Sequence, residues 1–70
     1  MKSKFGERLK ELLAEKNLSV NKFAEKIDVS PSAVSAWCRG LKQPTADNII
    51  LAAEFFGVST DYILGVSEYR

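Results

Sequence analysis

The residues of this sequence whose types and spacing could do chemistry lie mainly between positions 19 and 45. Ser30, Ser32 and Ser35 occur close together, and Arg39 and Lys42 follow them. A hydroxyl donates or accepts a hydrogen bond, and ammonium and guanidinium groups bind anions such as phosphate. These residue types are typical of a surface that binds a polar, negatively charged partner.

The usual constellations for catalysis and metal binding are missing. The 70 residues include no histidine and one cysteine, Cys38, so neither an internal disulfide nor a structural zinc site is expected. No nucleophile lies beside a base, no glycine-rich phosphate loop occurs, and no pair of carboxylates converges from separate helices. We therefore expect neither an enzyme nor a cofactor, metal or small-molecule substrate.

Length and composition indicate one small globular domain, with 46% hydrophobic and 27% charged residues. The net charge is +1, but residues 1–45 contain nine basic and five acidic side chains, a charge of +4, whereas residues 46–70 carry −3. This asymmetry favours different partners for the two parts, although chance charges on solvated helix faces explain it equally well. The first residues contain neither a secretory signal nor a membrane span, so a cytoplasmic protein without a membrane partner is expected.

Helical periodicity recurs five times along the chain, without a competing strand pattern. A candidate N-cap precedes each apolar stripe: Ser3, Ser19, Ser30, Thr45 and Ser59. Helix one is predicted to end near Asn17 and helix two at Asp28, and helix three, which begins with Pro31, to run from about Ser30 to Arg39. In helix four, Ile50, Leu51 and Phe55 fall outside the main apolar stripe. That helix is therefore either enclosed on most sides or keeps a surface for a partner.

Helices two and three are joined by only Asp28 and Val29, which fits two short helices that cross steeply. Ala24 is small enough to let helix three approach, and an aspartate tolerates the left-handed backbone that a sharp turn needs. Val34 and Trp37 then fill the angle between the helices. These are the requirements of a helix-turn-helix unit, whose second helix can enter the major groove of DNA.

Three segments carry a resemblance to a known family: LSVNKFAEKIDVSPSAVSAWCRG (18–40), PT (44–45) and LAAEFFGVSTDYILG (51–65). Together they resemble the phage-repressor-like helix-turn-helix family, also called the XRE family, over about residues 4 to 66. The resemblance implies an all-α, compact five-helix bundle and a transcriptional regulator that binds double-stranded DNA, mostly as a homodimer. Residues 1–66 would form the DNA-binding domain and residues 67–70 a C-terminal tail.

By position, the resemblance implies that the first half of helix three faces base edges through Pro31, Ser32, Ser35 and Ala36. Ser32 can bond to either kind of base and the Ala36 methyl suits a thymine methyl, but neither has the bidentate capacity of arginine or glutamine. Helix initiation alone also explains Pro31.

Phosphate contacts would come from the amide ends of helices two, three and four and from polar side chains beside them. The predicted residues are Val20, Asn21, Lys22, Ser30, Arg39, Lys42, Gln43 and Thr45. For Lys22, a solvated surface lysine is an equally good interpretation.

Many family members have arginine and glutamate where this chain has Leu13 and Cys38. Because apolar residues can replace a buried ion pair without loss of stability, we predict that Leu13 and Cys38 contact each other. A packed cysteine of this kind is expected to be an unreactive core residue and not a redox sensor.

The dimer surface is predicted in the C-terminal third, at Leu51, Phe55, Tyr62, Ile63 and residues 66–70. Packing in the core explains Tyr62 well but Leu51 poorly. A rival hypothesis makes the protein an interaction module or an antitoxin-type regulator, which uses the same fold with little or no DNA specificity. Its support is the modest base-reading set and the apolar residues of helices four and five.

Overall fold

The computed structural model describes residues 3–70, which form five α-helices and no strand. The helices are α1 (Phe5–Glu15), α2 (Val20–Lys26), α3 (Pro31–Cys38), α4 (Ala46–Phe56) and α5 (Thr60–Leu64). The predicted all-α, five-helix bundle is confirmed. The expected domain starts at residue 1, so its residues Met1 and Lys2 lie outside the described part of the chain. None of the helices in residues 3–70 is long and apolar enough to span a membrane.

Four of the five predicted N-caps are confirmed. The side-chain oxygens of Ser19, Ser30, Thr45 and Ser59 each accept a hydrogen bond from the amide three residues later, at 3.0 to 3.3 Å. The prediction for Ser3 is wrong. The N-cap of α1 is Lys4, whose side chain makes no capping bond, and the Ser3 hydroxyl donates instead to Gln43 Oε1 at 2.9 Å. A partner forty positions away in the sequence has replaced the local one.

Each helix is followed by one residue with a positive φ and then by an apolar residue. The residues with positive φ are Asn17, Asp28, Gly40, Gly57 and Gly65. In every case the amide after that residue donates to the carbonyl five positions back, as Val29 does to Ala24 at 3.0 Å. This hydrogen bond is that of the Schellman motif. Asp28, with φ 59°, confirms the predicted sharp turn between α2 and α3.

The core holds α3 from one side only. Val34 is fully buried and Trp37 is 5% exposed. The Trp37 ring meets the Phe5 ring edge to face, with 5.8 Å between centroids. Gly6 brings α1 still closer, since a Cβ at that position would lie 2.3 Å from the Trp37 carbonyl oxygen. Only a residue without a side chain permits this approach, so α1 fixes the C-terminal end of α3 through its backbone.

The residues after α5 fold back onto α1. Arg8 donates to Glu68 at 3.0 Å, and Arg70 donates to Glu15 Oε1 at 2.7 Å. Both guanidinium groups also lie over the Tyr62 ring, with their central carbons 4.3 and 5.1 Å from its centroid. We call Glu68, Arg70 and these partners the C-terminal clasp. Residues 67–70, which the sequence sets apart as a tail, are thus attached to the domain.

Candidate nucleic-acid interface

The four residues expected to face base edges share the side of α3 that points away from Val34 and Trp37. Pro31 and Ser32 are exposed, and Ser35 and Ala36 are half-buried. Pro31 and Ser35 are four positions apart, as are Ser32 and Ala36, and the two pairs are adjacent, so all four lie on one face of the helix. The structure therefore brings this predicted set together on an accessible surface.

The N-terminus of α3 has few free hydrogen-bond donors. Pro31 has no amide hydrogen, and the amide of Ala33 donates to the Ser30 hydroxyl at 3.2 Å. The Ser30 and Ser32 hydroxyl oxygens are 3.4 Å apart. Of the first three helical positions, only Ser32 keeps an amide without an intrahelical acceptor. The α3 N-terminus is accordingly a weak anion site.

The N-termini of α2 and α4 differ in their chemistry. Ser19 caps α2, so the amides of Val20 and Asn21 are the first-turn donors left without an intrahelical acceptor. This end has no acidic side chain in its first turn, which suits a phosphate. Thr45 caps α4, but Asp47 adds a carboxylate to that first turn. The negative charge of Asp47 stabilises the N-terminus of α4 and repels a phosphate there.

Three basic side chains of the predicted phosphate set are exposed: Lys22, Arg39 and Lys42. Within residues 3–70 the ion pairs are Arg8–Glu68 and Arg70–Glu15, so none of these three basic groups is neutralised by a carboxylate. Gln43 is also exposed, and its Oε1 accepts the bond from Ser3 that positions its side chain. Cationic groups without a carboxylate partner are suited to bind phosphates, and Arg39 and Lys42 directly follow α3 in the chain.

Cys38 lies at the last position of α3 and packs half-buried against the core that contains Leu13. Burial raises the pKa of the Cys38 thiol above its ordinary value, and the Lys10 ammonium opposes this effect. A raised pKa keeps the thiol protonated near neutral pH, as expected for an unreactive cysteine. Direct contact between Leu13 and Cys38 stays a prediction.

The predicted dimer residues divide into two groups. Leu51 and Phe55 are 43% and 39% exposed, whereas Tyr62 and Ile63 are 5% and 0% exposed. Because α5 packs its side chains into the core, Tyr62 and Ile63 have no apolar surface left for a second chain, and that part of the prediction is wrong. Ile50 is 47% exposed and lies beside Leu51 on the outer side of α4. We call Ile50, Leu51 and Phe55 the α4 face.

Sequence reasoning missed two contacts. Gly6 brings α1 against the C-terminal end of α3, and Ser3, just before α1, bonds to Gln43 in the loop after α3. A glycine inside a helix costs about 1 kcal/mol relative to alanine, so its presence in α1 was the available signal of a close approach. No local pattern marks the hydrogen bond between Ser3 and Gln43.

A family model described as helix-turn-helix matches residues 9–63 of this chain. The uncharacterized HTH-type transcriptional regulator YobD of Bacillus subtilis is 32% identical over 62 residues, which cover 89% of this chain and 55% of that protein. The chain spans about half the length, or less, of the curated relatives it matches.

Two solved structures are similar to most of the described fold. A transcriptional regulator from Listeria innocua is 28% identical with a TM-score of 0.85, covering 93% of this chain and 61% of that one. The restriction-modification controller protein C.AhdI from Aeromonas hydrophila is 30% identical with a TM-score of 0.78, covering 87% of this chain and 92% of that one.

Proposed function

Because the chain belongs to the helix-turn-helix family, and to its phage-repressor-like type as the sequence predicted, we propose that it is a sequence-specific DNA-binding transcriptional repressor. In this proposal a homodimer inserts α3 of each subunit into the major groove of double-stranded DNA. The relatives that match are transcriptional regulators and not enzymes. The observation that carries the proposal is the accessible outer face of α3, together with three exposed basic groups that no carboxylate in residues 3–70 neutralises.

The dimensions of α3 suit this mode of binding. An α-helix with its side chains is about 10–12 Å across, and the major groove is about 12 Å wide. The small residues Pro31, Ser32, Ser35 and Ala36 would let the helix axis lie close to the base edges. The amides of Val20 and Asn21 would then donate hydrogen bonds to phosphate oxygens of one DNA strand, because a helix N-terminus favours an anion.

Lys22, Arg39 and Lys42 would neutralise backbone phosphates without selecting a sequence. Each phosphate neutralised steepens the dependence of the logarithm of the binding constant on the logarithm of salt by about 0.9. Substitution of any of the three by glutamine is therefore expected to weaken binding to all sequences alike and to reduce this slope by about one.

The homodimer in the proposal uses the α4 face. Ile50, Leu51 and Phe55 form an exposed apolar surface, and an apolar surface of this kind on a small domain is suited to contact another chain. The two subunits would place their α3 helices about 34–36 Å apart, one turn of DNA. Leu51→Glu should abolish dimer formation in sedimentation equilibrium, whereas Ala14→Glu, which adds the same carboxylate at an exposed position of α1, should not. A monomer at all concentrations for the unmodified chain would contradict this part.

Selection of bound duplexes from a random pool at physiological salt tests the function itself. Enrichment of a two-fold symmetric motif is the expected result, and retention without enrichment would contradict sequence-specific binding. Repression is tested separately with a reporter gene whose promoter carries the selected motif, where lower expression is expected.

Variants of α3 connect that result to the structure. Ala36→Glu places a carboxylate against the DNA and should weaken binding at least about a hundredfold, because a like charge near phosphates and base edges is unfavourable. Ser32→Ala should have a smaller effect in the same direction. Ala14→Glu makes the same exchange at an exposed position of α1 and is the matched control. All three proteins should keep melting temperatures close to that of the parent.

A protein-interaction module is the second candidate function, and the exposed α4 face is the observation that favours it. Its expected result is the absence of any retained duplex together with saturable binding of one protein partner. Leu51→Glu would then abolish binding of that partner, and Ala36→Glu would not.

A further inference from the structure

The outer face of α3 is unusually poor in groups that distinguish bases by hydrogen bonds. Pro31 and Ala36 present only carbon atoms, and Ser32 and Ser35 present one hydroxyl each. A hydroxyl can donate or accept, so it pairs with either kind of base and discriminates little. The strong hydrogen-bonding side chains nearby, Arg39 and Lys42, follow the helix and are assigned above to phosphates.

The local structure limits the hydrogen-bonding capacity further. The Ser30 hydroxyl accepts the amide of Ala33, and the Ser32 hydroxyl lies 3.4 Å from it. Pro31 removes the amide hydrogen that most residues would offer at the tip of the helix. What remains distinctive on this face is therefore its carbon surface, which consists of the exposed Pro31 ring and the half-buried Ala36 methyl.

The two carbon groups lie at opposite edges of the face. With 100° per residue, Pro31 and Ala36 are about 140° apart around the axis, and Ser32 and Ser35 lie between them. Five positions correspond to about 7.5 Å along the axis, or about two base-pair steps of 3.4 Å. In the major groove, the one apolar feature of the four bases is the C5-methyl group of thymine.

We propose that thymine methyl groups determine the specificity of this chain. The Pro31 ring and the Ala36 methyl of each subunit contact two thymines about two base-pair steps apart in each half-site, and the serine hydroxyls add affinity without selection. The proposal rests on the proposed DNA-binding function and defines the class of operator that it recognises.

Substitution of thymidine by deoxyuridine tests the proposal, because uracil lacks the C5-methyl group and keeps every hydrogen-bonding group of thymine. Each thymine of the selected duplex is replaced singly, and the dissociation constant is measured with the full chain. Loss of one buried methyl should weaken binding about fourfold at two positions of each half-site and leave the other thymines without effect.

Protein variants then assign each thymine to its contact. Ala36→Gly should bring the thymine-to-uracil affinity ratio at one position close to one, and Pro31→Ser should do the same at the other. The ratio cancels any general loss of affinity caused by the glycine in the helix. Ser32→Ala is the matched control, since it should lower affinity for both duplexes and keep both ratios near four.

The outcomes separate this proposal from the proposed function. An enriched motif whose affinity is unchanged by every uracil, or whose thymine-to-uracil ratios survive both Ala36→Gly and Pro31→Ser, overturns the thymine-methyl proposal and leaves DNA binding intact. Failure to retain any duplex, with circular dichroism showing a folded protein, overturns both.

Discussion

Two of the contacts that hold helix α1 to the rest of the domain differ in kind. At its N-terminal end, Phe5 and Gly6 pack against Trp37 of α3 through a buried ring and through backbone contact. Farther along α1, Arg8 and Glu15 bond to Glu68 and Arg70 of the C-terminal clasp, and of these four charged side chains only Arg8 is buried. We call these the packed joint and the clasp.

Because the packed joint and the clasp differ in kind, salt affects them differently, and only the packed joint includes a residue of α3. Apolar packing and backbone shape respond little to moderate salt, whereas exposed ion pairs weaken as the salt concentration rises. The packed joint therefore keeps α3 in place under conditions that loosen the clasp. Salt should weaken DNA binding through the phosphate contacts and not through a shift of the recognition helix.

The largest expected effect is at the ring of the packed joint. Phe5 is 1% exposed, and Phe5→Ala leaves a cavity beside Trp37, so the free energy of unfolding should fall by about 3 to 4 kcal/mol. Urea denaturation followed by circular dichroism measures it. Tyr69→Ala, which removes an aromatic ring that is 86% exposed, should change stability very little. Equal losses in the two variants would contradict the assignment of Phe5 to a packed joint.

Gly6→Ala should lower the free energy of unfolding by about 2 to 3 kcal/mol, because its Cβ would overlap the Trp37 carbonyl and force α1 and α3 apart. Helix propensity alone predicts the opposite sign, a gain of about 1 kcal/mol. Gly40→Ala is the comparison, since no atom lies within 4 Å of its Cβ and only its φ of 73° is unfavourable. A stabilised Gly6→Ala protein would show that the backbone contact is not tight.

The clasp should respond to pH where the packed joint does not. Arg70 holds the pKa of Glu15 below its ordinary value of 4.5. A folded-state pKa below that of the unfolded chain means that the pair stabilises the fold above about pH 4.5 and that this stabilisation disappears as the pH falls through the lowered pKa. Arg70→Gln should therefore lower the melting temperature slightly at pH 7, and the difference from the parent should shrink as the pH falls below 4.5.

High salt should also reduce the pH 7 difference between Arg70→Gln and the parent. Lys26→Gln, which removes another exposed basic charge that does not act on Glu15, is the control for a general charge effect. A difference in melting temperature that stays constant from pH 7 down to acid unfolding would contradict a role for the ion pair.

Glu68→Gln should have the smallest effect of the series. The side chain of Glu68 is 83% exposed, while that of Arg8 is 10% exposed and stays packed over the Tyr62 ring when its partner changes. Loss of one exposed member of such a pair is expected to leave the melting temperature unchanged within error. A loss comparable with that of Gly6→Ala would mean that the clasp is a second packed joint.

Much of the fold could be predicted because its signals are local. Ser19, Ser30, Thr45 and Ser59 cap helices as predicted, since each bond closes over three residues. Asp28 adopts the predicted left-handed backbone. The candidate interface could also be placed, because Pro31, Ser32, Ser35 and Ala36 share a face in any helix that buries Val34 and Trp37.

The errors concern partners that are distant in the chain. Ser3 has the residue type of an N-cap, but its hydroxyl bonds to Gln43. Tyr62 and Ile63 have the apolar character of an interface, but the core of their own chain covers them. The clasp has no local signature, because charged residues near the end of a chain are equally compatible with a solvated tail.

The sequence by itself determined the number and order of the helices, where α2 to α5 begin, and which residues of α3 lie on its outer side, because capping, turn and periodicity signals act within about one helical turn. The ends of α1 and α2, at Glu15 and Lys26, fall two residues before the predicted ones. Only the tertiary structure decided that Gly6 brings two backbones together, that Leu51 and Phe55 stay exposed where Tyr62 and Ile63 do not, and that Arg70 returns to Glu15. These outcomes depend on distances between segments far apart in the chain, which the pattern of neighbouring residues does not specify.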